Sequence, residues 1–190
     1  MVKEINDKVF DRFPVLESER LLFRAFELGD APGFFALRSD ERVMQFMDSV
    51  WHRSLSDSEA KIKEILEDFK AKKGINWVIE EKNSNKFAGY FCFWKLDRHN
   101  RRAEIGYSLL PEYWGKGYMT ETLQLLLDFG FEEMAIHSME ANVNSKNVPS
   151  IKLLLKLGFQ KEAHFRENYF FEGKFLDSEI FCLLTSDWNK

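Results

Sequence analysis

The chain has 190 residues, of which 45% are hydrophobic and 31% charged, with 19 Phe and a net charge of −4. That is apolar material enough for one self-supporting domain, and the two cysteines, Cys92 and Cys182, stand apart in apolar runs, as buried thiols in a reducing compartment do. The charge offers no basic face for nucleic acid and tilts mildly toward a cationic substrate. No stretch reads as a signal peptide or membrane span, so a cytoplasmic protein with neither nucleic-acid nor membrane partner is expected.

Residues 1–14 mix both charge signs and read as a loosely held leader. Residues 15–188 read as one domain, because no repeat, low-complexity stretch or Pro/Ser-rich linker divides them. Within it, "RLLFRAF" at 20–26 has strand character, and Asp30 with Pro32 resembles a helix start leading into a short helical pair that ends near Met47. "SDSE" at 56–59 has capping-box spacing, and Ile62, Ile65, Leu66 and Phe69 recur at the spacing of an amphipathic helix, stopped by Gly74. The period then changes: "INWVIEE", a turn at Asn83 to Asn85, "KFAGYFCFWKL", a polar turn at 97–101 and "RAEIGYSLL" form a three-strand meander. A helix over 118–134, a strand over 137–143, a helix in "NVPSIKLLLKL" closed by Gly158, and a hairpin of 159–169 with 175–184 complete the chain. Strand, helix, strand in that order implies a right-handed crossover and a parallel pair, hence a mixed α/β sheet of about seven strands.

The junction "PEYWGKGYMTE" at 111–121 places Gly115 and Gly117 between a strand and a helix. Glycines there expose backbone N–H groups at the positive end of a helix, a setting that attracts phosphates. The signal is weak by itself, since plain turn chemistry gives the same pattern. Neither the Walker nor the dinucleotide fingerprint matches, Thr120 standing where the last glycine of the latter falls.

Together with "NSKNVPSIKLLLKLGF" and the initial "ESERLLFRAF", the segment "AEIGYSLLPEYWGKGYMTE" resembles the GNAT superfamily of N-acetyltransferases, and within it the RimJ/RimL-like ribosomal-protein-alanine branch, over about 15–188. The resemblance implies a single-domain α/β GNAT fold, with a mostly antiparallel sheet splayed between strands 4 and 5 and helices on both faces. It implies acetyl-CoA as co-substrate, no metal, and a pyrophosphate held on the amides of 114–120, that is Trp114, Gly115, Lys116, Gly117, Tyr118, Met119 and Thr120. The glycines give the main chain clearance, Met119 replaces a small residue of the family pattern, and Lys116 either adds charge or is merely solvated. A bulge in "EIGYSLL" is implied to open the wedge for the pantetheine arm, with Leu109 and Leu110 offering backbone groups. Asn147 matches the family's cofactor-contacting asparagine and also suits a helix cap.

Acetyl transfer to an amine needs a neutral nucleophile, a polarised thioester carbonyl, a base and a proton for the leaving thiolate. By the same resemblance, a strand N–H near Leu109 polarises the carbonyl and Glu104 is the base through water. The alternative for Glu104 is a solvent-facing carboxylate paired with Arg101 or Arg102. The family's usual acid is a tyrosine where this chain has Leu154. The Rim-type serine falls at Ser150, which is also suited to a structural role; Tyr169, Tyr118 and water are the reserves. The four histidines form no metal-binding cluster, and no nucleophile elbow argues for a covalent acyl-enzyme, so direct attack in a ternary complex is expected. Phe46, Trp51, Tyr169, Phe170 and Phe171 either line the acceptor channel or fill core. An α-amine, with a reference pKa of about 8 against about 10.4 for lysine, needs less help from a base. The acceptor expected is therefore a protein or peptide N-terminus; a small amine such as a polyamine, an amino acid or an aminoglycoside, and a non-catalytic acyl-CoA-binding module, are the rivals. Monomer and homodimer both stay open.

Overall fold

A computed structural model describes residues 4–47, 49–171 and 173–188. Its strands are β1 (Leu16–Glu17), β2 (Leu21–Ala25), β3 (Ile75–Glu81), β4 (Lys86–Asp97), β5 (Arg102–Leu109), β6 (Ser138–Asn144), β7 (Gln160–Phe171) and β8 (Lys174–Leu184). Its helices are α1 (Ala31–Ser39), α2 (Glu41–Met44), α3 (Leu55–Lys70), α4 (Tyr118–Glu132) and α5 (Val148–Lys156). Among the described residues the strands form one eight-stranded sheet in the order β1-β2-β3-β4-β5-β6-β8-β7. Every neighbouring pair is antiparallel except β5 with β6, whose chains run parallel through the α4 crossover. The expected count of seven is exceeded by β1, a two-residue strand too short to show an alternation.

Alternation along the central strands sorts the two faces. Ile75, Trp77 and Ile79 of β3 and Phe91 and Phe93 of β4 pack with Leu123, Leu126 and Leu127 of α4 and with Leu154 of α5. Val78, between them, faces the other way and packs with Phe34 of α1 and Ile62 and Ile65 of α3. Asp30 caps α1 in position and is itself held by Arg24, whose guanidinium lies 2.8 Å from one Asp30 oxygen and 2.6 Å from Glu80. The start of α3 lies two residues before the expected box: Ser54 and Asp57 form it, and the Ser54 amide donates to Asp57 at 2.9 Å.

Residues 4–14 are not loosely held as the composition implied. Ile5 and Phe10 are buried, the Asn6 amide donates to the Met134 carbonyl at 2.8 Å, and Trp77 donates its indole N–H to the Pro14 carbonyl at 2.7 Å. A charged segment read as a tail thus covers the end of the core, because its few apolar residues all face inward.

The site depends on β4 and β5 lying close, and Gly89 makes that approach possible. A Cβ built there falls 2.1 Å from the Ser108 carbonyl oxygen and 2.9 Å from Leu109 Cα. Both obstacles are backbone, so Gly89→Ala must force the strands apart. Urea unfolding should show a loss of at least about 2 kcal/mol; unchanged stability would mean that this contact does not set the strand spacing.

Candidate active site

The site begins where the sheet opens. β5 and β6 pair at Arg102↔Ser138, Ala103↔Met139 and Glu104↔Glu140 and no further, although β5 stays paired with β4 to Leu109 and β6 with β8 to Asn144. Each strand follows its antiparallel partner, so the two diverge and leave a wedge. The pairing irregularity lies not within β5, as expected, but in β4 between Trp94 and Asp97, where Lys95 adopts φ 47°.

Two cavities meet at this wedge. One, of about 460 Å³, is lined by Tyr107, Leu109, Trp114, Gly115, Gly117 and Thr120 among others. The second, of about 490 Å³, lies toward α1 and α3 and is lined by Arg38, Tyr90, Lys95, Glu104 and Tyr169 among others. Phe46, Met47, Tyr107, Asn147 and Ser150 line both.

The loop of the first cavity presents donors. Gly115 and Gly117 have φ of 72° and 80°, a region that side chains with a Cβ rarely occupy, and an ideal Cβ on Gly115 meets nothing within 4 Å. Among the described residues no amide N–H from Gly115 to Thr120 donates to the protein. These free donors at the start of α4, with open space over Gly115, fit a diphosphate. The opposite side of the loop is tied down by Arg20, which donates to the Lys116 carbonyl at 2.9 Å, bonds Glu121 at 2.6 Å and covers the Tyr118 ring at 4.4 Å. Burial raises the Glu121 pKa, but hydrogen bonds from Ser18 and from the Arg20 amide and guanidinium outweigh it, and the carboxyl lies below its usual range.

At the junction, the Tyr107 and Ser150 hydroxyls are 2.8 Å apart. Burial pushes the Tyr107 phenol up to about 12, with the Ser150 bond acting against it. Asn147 caps α5, its side chain accepting the Ser150 amide at 3.2 Å. Glu104 is buried at the apex of the wedge and bonds Lys95 at 2.7 Å. Burial raises its pKa, the Lys95 ammonium draws it down, and the net shift is upward. Its neighbours in sequence go elsewhere: Arg101 donates to the Ala135 carbonyl and Arg102 to Glu140, so the alternative surface pairing is not formed.

Of the residues expected in the cofactor site, Leu109, Trp114, Gly115, Gly117, Tyr118, Met119, Thr120, Asn147 and Ser150 line the first cavity. Leu110 and Lys116 do not. Leu110 is buried with Leu37 and Val43 and gives its N–H to the Ala88 carbonyl, while the Lys116 ammonium lies 5.8 Å from the Tyr113 ring centroid. Of the five aromatic residues proposed for the acceptor side, Phe46 and Tyr169 reach the cavity wall, whereas Phe170 stacks on Phe175 at the exposed hairpin. Leu154 is fully buried in the core. Tyr107, Arg38 and Arg20 escaped the sequence reading; only the alternation of β5 could have marked Tyr107 as sharing a face with Leu109.

An acetyltransferase (GNAT) domain model matches residues 20–160, and the chain belongs to that family. It is an acetyl-CoA-dependent N-acetyltransferase. The chain is similar to an uncharacterized N-acetyltransferase, p20 of Bacillus licheniformis, at 35% identity over 91% of this chain and 97% of the relative. Two solved structures share the fold. One is RimL, the ribosomal L7/L12 alpha-N-protein acetyltransferase, in complex with coenzyme A, with a TM-score of 0.82 and 19% identity over 90% of this chain and 98% of that one. The other is the spermidine N-acetyltransferase of Vibrio cholerae with coenzyme A and spermine, with a TM-score of 0.79 and 22% identity over 90% and 99%.

The loop geometry yields two expectations. Gly115→Val puts a branched side chain into the left-handed region and over the free amides, and calorimetry should show coenzyme A affinity falling at least about tenfold. An unaltered affinity would remove the loop from the phosphate site. Arg20→Met frees the Lys116 carbonyl and the Glu121 carboxylate, so the KM for acetyl-CoA should rise about tenfold with little change in kcat; a change confined to kcat would contradict a bracing role.

Proposed function

We propose that the acceptor is the α-amino group of a protein or peptide N-terminus, attacked directly on the thioester where the two cavities meet. The observation that carries this reading is the Tyr107–Ser150 pair at that meeting point, with Glu104 on the acceptor wall. On the same reading the amides of 115–120 hold the pyrophosphate, the unpaired edge of β5 by Leu109 receives the pantetheine arm, and Asn147 steadies the entry of α5 beside it.

Glu104 takes the ammonium proton through water. A carboxyl buried enough to sit above its ordinary pKa is a better base than an exposed one, and the Lys95 ammonium favours its ionised form. Ser150 delivers a proton to the departing thiolate as it takes the Tyr107 phenol proton in exchange, and the phenol regains its proton from solvent. Because the Tyr107 phenol keeps its proton until about pH 12, it serves as donor to Ser150 Oγ and leaves the serine proton free to turn toward sulfur. Tyr169, on the acceptor wall, is the second candidate for this proton.

Against a polyamine acceptor stands the charge pattern of the second cavity. Its carboxylates are already matched, Glu104 with Lys95 at 2.7 Å and Asp68 with Lys73 at 3.4 Å. A polycation would have to compete with both lysines for them.

Glu104→Gln should lower kcat about 100-fold in a thiol-release assay with N-terminal peptides. In the parent, kcat/KM should fall as pH drops through a pKa above the ordinary carboxylate range, because only ionised Glu104 accepts the proton; the variant should lose that limb. Equal rates in parent and variant, or turnover of spermidine and of no peptide, would overturn the assignment.

A further inference from the structure

Resting on the transfer reading above, we infer that the acceptor amine carries a carboxylate and that Arg38 is the group that recognises it. Arg38 lies in the last turn of α1, is 9% exposed and lines the acceptor cavity. Its Nη2 donates to the Val50 carbonyl at 2.9 Å, but its Nε is buried without any hydrogen-bond acceptor. The Ser49 hydroxyl, on the same cavity wall, is likewise buried with no partner. Native interiors rarely leave two buried polar atoms unmatched on one cavity wall, and a guanidinium is the most costly group to leave so.

The other charges of that cavity are accounted for. Lys95 holds Glu104, Lys73 holds Asp68, and Lys61 reaches Glu64 at 2.9 Å. Among the described residues Arg38 has no carboxylate partner, and it is the one charged side chain on that wall for which they supply none. Its planar donors suit a carboxylate in two-point contact. Two hydroxyls can complete such a site. Ser49 offers one, and Tyr90, on the same wall, kept protonated by burial that pushes its phenol up to about 12 and itself interacting with the Arg38 guanidinium, offers the other. A carboxylate entering here supplies the missing acceptor for the guanidinium and for Ser49 together, and does so in the cavity that also holds Glu104. Two sources share this chemistry: the α-carboxylate of a free amino acid, and an acidic side chain near the start of a peptide.

Binding of acetylated products to the coenzyme A-saturated protein tests this without turnover. The probes are N-acetylated Ala-Asp dipeptide amide against its Ala-Asn twin, for a side-chain carboxylate, and N-acetylalanine against its amide, for an α-carboxylate. In one pair the acid should bind at least about tenfold more tightly than the neutral twin by calorimetry, and Arg38→Met should bring that ratio close to unity. Arg38→Lys and Ser49→Ala should each reduce it partially, and they decide the matter should the Met variant fail to fold. Ratios near unity in both pairs for the parent would overturn the proposal. So would variants that weaken acid and neutral probes equally, which is the mark of a residue that only braces Val50. The two readings fail differently: discrimination without thiol release from any amine sinks the transfer assignment, and brisk release with no discrimination sinks the anion subsite.

Discussion

The parallel contact between β5 and β6 lasts for three residue pairs, and the site exists because it stops there. Beyond Glu104 each strand is committed to its antiparallel neighbour over its remaining length, and the twist of each half carries the two apart. What opens is an edge inside a sheet, with main-chain donors and acceptors that elsewhere would invite another strand. A coenzyme with amide groups along its arm is a chemical match for such an edge. The same divergence joins the α4 face to the α1/α3 face, which lets a ligand on one side meet a ligand on the other.

The distribution of charge follows from that geometry. Glu104 is at the last paired position, so it is shielded by both strands and by the irregular turn of β4 that brings Lys95 over it. Ser150, at the start of α5, comes within reach of Tyr107 because Asn147 fixes the first turn of that helix. Ser150 thus lines both cavities while Glu104 lines the second alone, so the acid candidate stands at the junction and the base candidate on the acceptor side.

Most elements were legible because their periodicity is strong: the i, i+3, i+4 pattern of α3 and the alternation of β3 to β5 each admit one reading. The glycine loop was legible through local chemistry, since positive φ and a helix start leave their mark within a few residues. Relations between distant positions were not. Glu104 has two arginines beside it in sequence and pairs with neither, because the register of β4 against β5 brings Lys95 to it instead. Tyr107 acquires its meaning from a serine 43 residues away. Arg38 reads as an ordinary basic residue in a last helical turn, favourable to the dipole, until Val50 and His52 are known to bond to it. Leu110 could not be told from Leu109 in the sequence: its N–H is taken by the Ala88 carbonyl, and it lies off the cavity wall that Leu109 lines.

Glu121 shows why the glycine loop needs partners from the far end of the chain. A carboxylate in the first turn of a helix is favoured there by the dipole, and its natural partners are the free amides of that turn. Were it to take them, the site would be blocked by the protein's own anion. Instead Ser18 donates to one Glu121 oxygen at 2.6 Å and the Arg20 amide to the same oxygen at 3.0 Å, while the guanidinium bonds the other. The carboxylate is saturated on the side away from the cavity. The amides of 115–120 are left as donors without internal acceptors, so the turn between β1 and β2, which carries Ser18 and Arg20, is what keeps those donors open to a ligand.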